Sequence, residues 1–216
     1  MSPMQFKTKE EQVADFLREA IIAGRIDRGA RLKQQELATQ LNTSITPVRE
    51  ALKLLEAEGY VTGDSFKGAI VAPFDIEASS EVLSLRILLE TQLVKGAVDH
   101  ASAADIAELK VLAEEFASAF AKGDNATARA ANYRFHHRMF AVTRMPQTLH
   151  FVQILWARYP IDLINRLKGR VSRAAEEHDQ MLAAMIAGDS AAATLATRQH
   201  IEAGWLELRD SVRAAK

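Results

Sequence analysis

The sequence predicts a mostly α-helical protein in two parts: an N-terminal unit of short helices and a hairpin, then an all-α antiparallel bundle of about six helices. Apolar residues recur at helical spacing along most of the 216 residues, whereas β-prone segments occur only near residues 60–71. After about Asp75 no strand pattern is present, and Pro73 marks the boundary. The predicted domains are therefore residues 1–73 and 77–216.

The first predicted helix is amphipathic and lies between Glu10 and Ala23. Its apolar residues fall on one helical face, and Gly24 follows it as a stop signal. Residues 25–33 are predicted to be a connector. A second, short helix then ends at Asn42, because asparagine tolerates left-handed backbone geometry.

The third predicted helix begins after a short turn. Thr46 is its predicted N-cap, with Pro47 at the first helical position, and Gly59 ends it. Two β-prone segments, 60–62 and 69–71, flank a turn-rich spacer and predict a small hairpin. Helix, helix, turn, helix and hairpin is the order of a winged helix-turn-helix.

The second part of the chain contains only helical patterns. Glycine, aspartate and proline residues separate the predicted helices. These helices lie near residues 77–99, 104–122, 124–143, 147–168, 170–187 and 190–214.

The composition is that of an ordinary globular protein, with 48% hydrophobic residues, 25% charged residues and a net charge of −1. No cysteine is present, which excludes disulfides, thiolate metal sites and a cysteine nucleophile. The first residues lack the apolar run of a signal peptide, and no run of about 18 uncharged apolar residues occurs. We therefore expect a cytoplasmic protein that has no membrane partner.

One face of the third predicted helix is polar. Thr46, Arg49 and Lys53 lie at i, i+3 and i+7, opposite the apolar stripe. In a helix-turn-helix the second helix enters the major groove with its N-terminal part, where such side chains contact bases and phosphates. An ordinary solvated face of a small domain explains the same spacing. The residues expected to contact DNA on this basis are Lys33, Ser44, Thr46, Arg49, Lys53, Lys67 and Gly68.

Three of the six histidines lie at suggestive positions. His178 shares an apolar helical face with methionines, and His200 lies among small residues. Each is about 15–17 Å from the bend at residues 188–189, so antiparallel helices would place the two side chains level. Asn132 and His136, one turn apart on a third helix, would complete a pocket. Imidazoles of this kind bind first-row metal ions, although a lone inward histidine is more often a core residue.

Arg86 lies on an apolar stripe of the helix over 77–99. A guanidinium in that position needs an anionic partner. The partner is either a ligand carboxylate or Glu90, which lies one turn further along the same helix.

Several of these residues together resemble a known family. The run Thr46-Pro47-Val48-Arg49-Glu50-Ala51-Leu52, preceded by Leu32, Leu37 and Ala38 and followed by Glu58-Gly59 and Lys67-Gly68-Ala69, resembles the N-terminal domain of GntR-family transcription regulators. The all-helical remainder resembles the FadR-type effector domain, called FCD. Two positions depart from the family pattern. Ile45 stands where arginine is common, and Gln35 stands where a charged residue is frequent. Both residues are therefore expected to contact DNA, and the operator sequence that this protein prefers is expected to differ from that of its relatives.

The resemblance also implies a metal site. Many FCD domains bind metal through an Asp-x-x-Phe-His motif and two later histidines, which correspond here to Asn132, His136, His178 and His200. Asn132 replaces the usual aspartate and supplies no negative charge, which favours a carboxylate effector that completes the coordination of zinc or nickel. Direct binding of the effector by metal-free histidines is the competing interpretation. Arg86 corresponds to an effector-facing arginine of the family, and Arg134 is a second candidate.

The predicted function is a DNA-binding transcription regulator, a repressor, whose affinity for double-stranded operator DNA is controlled by a small organic acid. A homodimer that binds palindromic half-sites is expected, because one short helix contacts few base pairs. The alternatives are a metal-dependent enzyme that uses the histidine cluster and a dimeric scaffold. The enzyme interpretation lacks a general base, since Glu177 and Glu202 are predicted to point away from the histidines.

Overall fold

The computed structural model describes residues 7–63, 69–74, 79–164, 167 and 170–214. The chain divides into two compact units, Met1–Phe74 and Asp75–Lys216. Helices dominate, as predicted, and the only strands among the described residues belong to the first unit. No helix of the described residues is both long enough and apolar enough to cross a bilayer.

The N-terminal unit contains three helices and three short strands. In chain order they are α1 (Lys9–Ile22), β1 (Arg31–Leu32), α2 (Gln34–Gln40), α3 (Ile45–Glu58), β2 (Val61–Thr62) and β3 (Ala69–Val71). The strands form an antiparallel sheet in the order β1-β3-β2. The hairpin of β2 and β3 was predicted, but β1 lies at residues assigned to the connector. A two-residue strand shows no alternation in sequence, and β1 exists only through its pairing with β3, in which Arg31 lies opposite Ile70.

The ends of the helices follow ordinary capping rules, with one correction. Thr8 and Glu11 form a reciprocal capping box at the start of α1. Asn42 has a positive φ of 48° immediately after the C-cap of α2, in agreement with its predicted role. The predicted N-cap of α3 was wrong: the N-cap is Ser44, so Pro47 is the third helical residue. Pro47 is tolerated there because the first four N–H groups of a helix have no intrahelical partner.

Burial of the apolar faces of α1 and α3 holds the unit together. Leu17 on α1 and Leu52 and Leu55 on α3 are completely buried. Arg18 on α1 reaches across to α3, where Nε and Nη2 donate to the two carboxylate oxygens of Glu58 at 2.8 and 2.7 Å. These contacts fix the orientation of α3 within the unit, so the opposite face of α3 is free of the core.

The C-terminal unit is all-α. It contains α4 (Ser79–His100), α5 (Ala103–Ala121), α6 (Asn125–Ala141), α7 (Pro146–Ala157), α8 (Ile161–Ile164), α9 (Arg170–Ile186) and α10 (Ser190–Ala214). The predicted single helix over 147–168 was wrong, because α7 and α8 are separated at Tyr159-Pro160. Proline lacks the N–H that continues a helix and disfavours helical geometry in the residue before it.

The bundle packs around one main core. Helix α5 packs on α6 and α9, and α10 packs on α4 and α9. Large buried side chains of the core include Leu93, Leu109, Phe135, Met139, Phe140 and Met181. Helices α6, α9 and α10 meet where the rings of His136, His178 and His200 lie about 5 Å from one another.

Candidate functional site: a histidine cluster and an exposed helix

Three histidines converge inside the C-terminal unit. His136 on α6, His178 on α9 and His200 on α10 each offer one nitrogen, and the three nitrogens lie within 4.8 Å of one another. The Nε2 atoms of His136 and His178 are 3.2 Å apart. Two nitrogens that each lie about 2.1 Å from one tetrahedral ion are roughly 3.4 Å apart, so this spacing suits a shared metal ion. His178 is completely buried, and His136 is nearly so.

The protonation of the cluster also suits a cation. Burial lowers the pKa of both His136 and His178 well below the ordinary histidine value, so both rings are neutral near pH 7. Neutral imidazole is the form that binds metal ions. The remaining Nδ1 atoms of His136 and His178 are buried and have no hydrogen-bond partner among the described residues. The donor set therefore fits a divalent ion, and buried Asn132, one turn before His136, adds an amide to it.

His200 is oriented by a carboxylate. Its Nδ1 lies 2.6 Å from Glu177 Oε2, and since a carboxylate only accepts, this nitrogen carries the proton. Nε2 of His200 is then the nitrogen with the lone pair. Although burial raises the pKa of Glu177, hydrogen bonds from His200 and Arg170 hold it below the ordinary value. Glu177 was predicted to point away from the histidines, and this was wrong, because it faces the neighbouring helix α10.

Arg170, at the start of α9, completes this contact. Its two terminal nitrogens donate to the two oxygens of Glu177, each at 2.8 Å, and Nη2 also donates to the carbonyl of His200 at 3.2 Å. Arg170 is 2% exposed. By contrast, Glu202 lies off the cluster, is partly exposed and pairs with Arg198 on its own helix.

A cavity of about 490 Å³, counting its open mouth, lies next to the cluster. One part of its wall is polar and consists of Arg86, Asn132, His136, Arg170 and His200. The other part consists of Tyr133, Trp156, Tyr159, Ile161, Ile164, Ile201 and Gly204.

Arg86 lies in the wall of this cavity and is paired internally with Glu90, one of the two partners that the sequence left open. Nε and Nη2 of Arg86 donate to Glu90 at 2.6 and 3.3 Å, and both side chains are buried. Glu90 also accepts from Trp156 Nε1 at 2.9 Å. The guanidinium of Arg86 lies 4.1 Å from the centre of the Tyr159 ring, within cation–π distance. Helices α4 and α7 are thereby connected through one buried network.

Arg134 lies elsewhere. Its side chain is partly exposed and pairs with Glu115 on α5 at 2.5 Å, and it is absent from the residues that line the cavity. An effector role for Arg134 stays a prediction that this placement does not favour.

Some residues of the cavity were missed by sequence reasoning. Arg170 gave no signal, because its partners lie seven and thirty residues further along the chain. Gly204 did give one, since it lies one turn after His200 on the same helical face. A Cβ atom at Gly204 would lie 3.3 Å from Cγ2 of Ile164 and 3.6 Å from Nε of Arg170. A side chain at this position would therefore crowd Ile164, whereas its contact with Arg170 would be of ordinary length.

The predicted DNA contacts of α2 and α3 lie at the surface of the N-terminal unit. Lys33, Gln35, Ser44, Ile45, Thr46 and Lys53 are exposed, and Arg49 is partly exposed. The apolar face of α3 is directed inward. Lys53 Nζ lies 3.1 Å from Glu50 Oε1, and Arg49 Nε lies 3.3 Å from the same atom. Hydrogen bonds from Lys53 and Arg49 lower the pKa of this exposed glutamate. Lys67 and Gly68 lie outside the described residues.

Comparison with known proteins identifies the family of each unit. Residues 9–71 match the model of bacterial regulatory proteins of the gntR family, and residues 81–203 match that of the FCD domain. The HTH-type transcriptional regulator McbR of Escherichia coli K12 is 32% identical over 68% of this chain and 66% of its own length, just under two thirds. The Exu regulon transcriptional regulator of the same organism is 28% identical over 89% of this chain and 81% of its own.

Solved structures have the same fold. Escherichia coli McbR/YncC superposes with a TM-score of 0.84 at 26% identity, covering 96% of this chain and all of that one. A GntR transcriptional regulator from Rhodococcus sp. RHA1 superposes with a TM-score of 0.72 at 21% identity, covering 95% and 99% of the two chains, and supports the fold alone. The relatives are transcription regulators and not enzymes. The chain therefore belongs to the gntR family of bacterial regulatory proteins, as a DNA-binding transcription regulator with a winged helix-turn-helix and an FCD domain.

Proposed function

We propose that this regulator is a repressor that releases its operator when a small carboxylate binds beside a divalent metal ion in the C-terminal unit. One observation carries the proposal: three histidines from three helices present their nitrogens within 4.8 Å of one another beside a cavity that also contains two buried arginines. Buried polar groups are normally hydrogen-bonded, and the Nδ1 atoms of His136 and His178 have no such partner among the described residues.

The residues that would hold the ion are Asn132, His136, His178 and His200. A bound zinc or nickel ion would supply a Lewis acid with open coordination positions and a positive charge that these neutral ligands leave uncompensated. Glu177 keeps the His200 ring in one orientation and fixes its proton on Nδ1. This arrangement favours an anion as the remaining ligand, which a carboxylate supplies.

The arginines of the cavity wall would act on the effector through hydrogen bonds. Arg86 is held by Glu90, and Arg170 is held by Glu177, so both guanidinium groups are fixed before any ligand arrives. A fixed donor binds at a smaller entropic cost than a flexible one. Arg86 lies on α4, which connects to the N-terminal unit along the chain, and we propose that effector contacts there are transmitted to the DNA-binding unit.

DNA recognition is assigned to α3 and the turn before it. Arg49 and Lys53 would exchange their contact with Glu50 for phosphates or bases, and Ser44, Ile45 and Thr46 lie at the end of α3 that enters the groove. Lys33 and Gln35 at the start of α2 are proposed as flanking contacts, as are Lys67 and Gly68, which lie between β2 and β3 in sequence. We propose that a homodimer places two copies of α3 on palindromic half-sites of double-stranded DNA.

Effector control requires that the carboxylate bind one conformation more tightly than another. We propose that the ligand-bound conformation changes the spacing of the two α3 helices and so weakens their simultaneous contact with the half-sites. A tenfold fall in operator affinity corresponds to a change of about 1.4 kcal/mol in the free energy of DNA binding.

The proposal is tested by operator selection from genomic DNA with the full-length protein, followed by binding titrations in the presence of acids. We expect a palindromic operator, a lower affinity for it when an acid is present, and loss of the acid response after treatment with EDTA. An acid response that persists in metal-free protein would support direct binding of the effector by the histidines and contradict the metal. The absence of selective DNA binding would contradict the assignment of α3.

A further inference from the structure

The chemistry of the cavity walls restricts the ligand beyond its carboxylate. Six of the lining residues present aromatic rings or branched aliphatic side chains: Tyr133, Trp156, Tyr159, Ile161, Ile164 and Ile201. They come from α6, α7, α8, α10 and the turn between α7 and α8, so the apolar wall is built from several elements. The hydrogen-bonding groups, in contrast, lie mainly on the side of the histidines and arginines.

The charges of the cavity are largely compensated within the protein. Arg86 forms a two-bond contact with Glu90, and Arg170 forms a two-bond contact with Glu177. Glu90 is 1% exposed and Arg86 is 6% exposed, so this pair is largely shielded from solvent. Neither guanidinium offers a positive charge without a partner, so a second carboxylate placed away from the ion, against the aromatic and isoleucine side chains, would be buried without an opposing charge.

Resting on the proposed function, we infer that the ligand of this cavity is a monocarboxylate with a compact aromatic or branched aliphatic body, and neither a polyhydroxylated acid nor a dicarboxylate. The carboxylate lies on the side of the histidines, and the body lies against the aromatic rings and isoleucine side chains of these six residues. A hydroxyl group placed against the isoleucines loses its hydrogen bonds to water and gains none.

Three matched acids test this inference by calorimetric titration of the zinc-loaded full-length protein. Cyclohexanecarboxylate and glucuronate each present one carboxylate on a six-membered ring, and they differ in the hydroxyl groups and the ring oxygen. Cyclohexane-1,4-dicarboxylate adds a second charge to the same body. We expect cyclohexanecarboxylate to bind about tenfold or more tightly than either of the other two.

A substitution in the apolar wall of the cavity tests whether these side chains cause the preference among the three acids. Ile161→Thr replaces the ethyl branch on Cβ with a hydroxyl group. We expect this change to weaken the binding of cyclohexanecarboxylate about threefold or more and to leave the binding of glucuronate unchanged or tighter. Val111→Thr, at an exposed position on α5, is the matched control and should change neither affinity.

The outcomes separate the inference from the proposal on which it rests. Equal or tighter binding of glucuronate or of the dicarboxylate would overturn the inference and leave acid control of the operator intact. If none of the three acids binds the zinc-loaded protein, while operator release by some other class of molecule is found, both the inference and the carboxylate part of the proposed function are overturned. A preference that Ile161→Thr leaves unchanged would contradict the assigned wall.

Discussion

Glu177 Oε2 lies 2.6 Å from His200 Nδ1, although the two residues come from adjacent helices and are 23 residues apart in sequence. The contact gives His200 one tautomer and one ring orientation, with the other nitrogen available for an ion. Partners of this kind orient metal-binding histidines, and their loss typically lowers metal affinity.

Substitution of Glu177 should therefore weaken metal binding without removing a ligand. For Glu177→Gln we expect the affinity for zinc to fall about 10- to 100-fold in a competition titration with a chromophoric chelator. Glu176→Gln, at the exposed neighbouring position, is the matched control and should bind zinc as the wild type does. An unchanged affinity in Glu177→Gln would remove this carboxylate from the site.

The Arg86–Glu90 pair makes a prediction about stability. Glu90→Gln keeps the shape of the side chain but leaves the guanidinium of Arg86 buried without a counter-charge. Breaking one partner of a buried pair costs about 3–5 kcal/mol, so the free energy of unfolding in urea should fall by that amount. Glu81→Gln on the exposed face of α4 should have no measurable effect. A loss under 1 kcal/mol for Glu90→Gln would mean that solvent reaches Arg86.

Tyr159 gives the fold a pH dependence in alkaline solution. Burial raises the pKa of its hydroxyl from 10.0 to about 12. A group whose pKa is raised by folding stabilises the folded state fully below the unfolded pKa and loses that contribution as the pH rises to the folded pKa. The free energy of unfolding should therefore fall by about 2 kcal/mol between pH 10 and pH 12 on account of this residue.

The comparison with Tyr159→Phe isolates this contribution, because the other groups that titrate at high pH are common to both proteins. We expect the difference in unfolding free energy between the two proteins to change across pH 10–12 and to be constant below about pH 9. Parallel stability curves over the whole interval would show that the Tyr159 hydroxyl ionises as it does in the unfolded chain.

Arg49 is the residue of α3 with the clearest expectation for DNA binding. If it makes a two-bond contact with a base, Arg49→Ala should weaken binding to the selected operator by about 1–3 kcal/mol and relax the preference at one base pair. Fluorescence anisotropy with labelled operator measures this, and Arg198→Ala, exposed on α10, is the control. A binding curve that superposes on that of the wild type would exclude Arg49 from the interface.

Long helices and the histidine positions could be predicted from sequence because both depend on local periodicity. The inner face of α9 repeats over several turns, so the buried position of His178 follows from the apolar residues around it. The features that were missed depend on tertiary contacts or on single residues. Strand β1 exists only through its pairing with β3. Pro160 divides a pattern that otherwise indicates one helix.

The candidate site shows the same division between features that depend on local periodicity and features that depend on tertiary contacts. His178 and His200 could be placed level by counting residues from the bend, but the partner of His200 could not. Glu177 is adjacent to His178 in sequence and faces a different helix, and Arg170 bonds to groups that meet only after α9 and α10 pack. Periodicity indicates which face of a helix is buried, and it does not identify the polar group that lies opposite on the next helix.

The central claim of the account is that the three histidines hold a divalent ion, and the most direct measurement is the metal content of the purified full-length protein by mass spectrometry. The account predicts about one zinc or nickel ion per chain in the wild type after dialysis against the metal, and none in the double variant His178→Ala/His200→Ala. His150→Ala, at an exposed position, should keep the ion. Wild-type protein that is folded, operator-binding and free of metal after this treatment would contradict the claim.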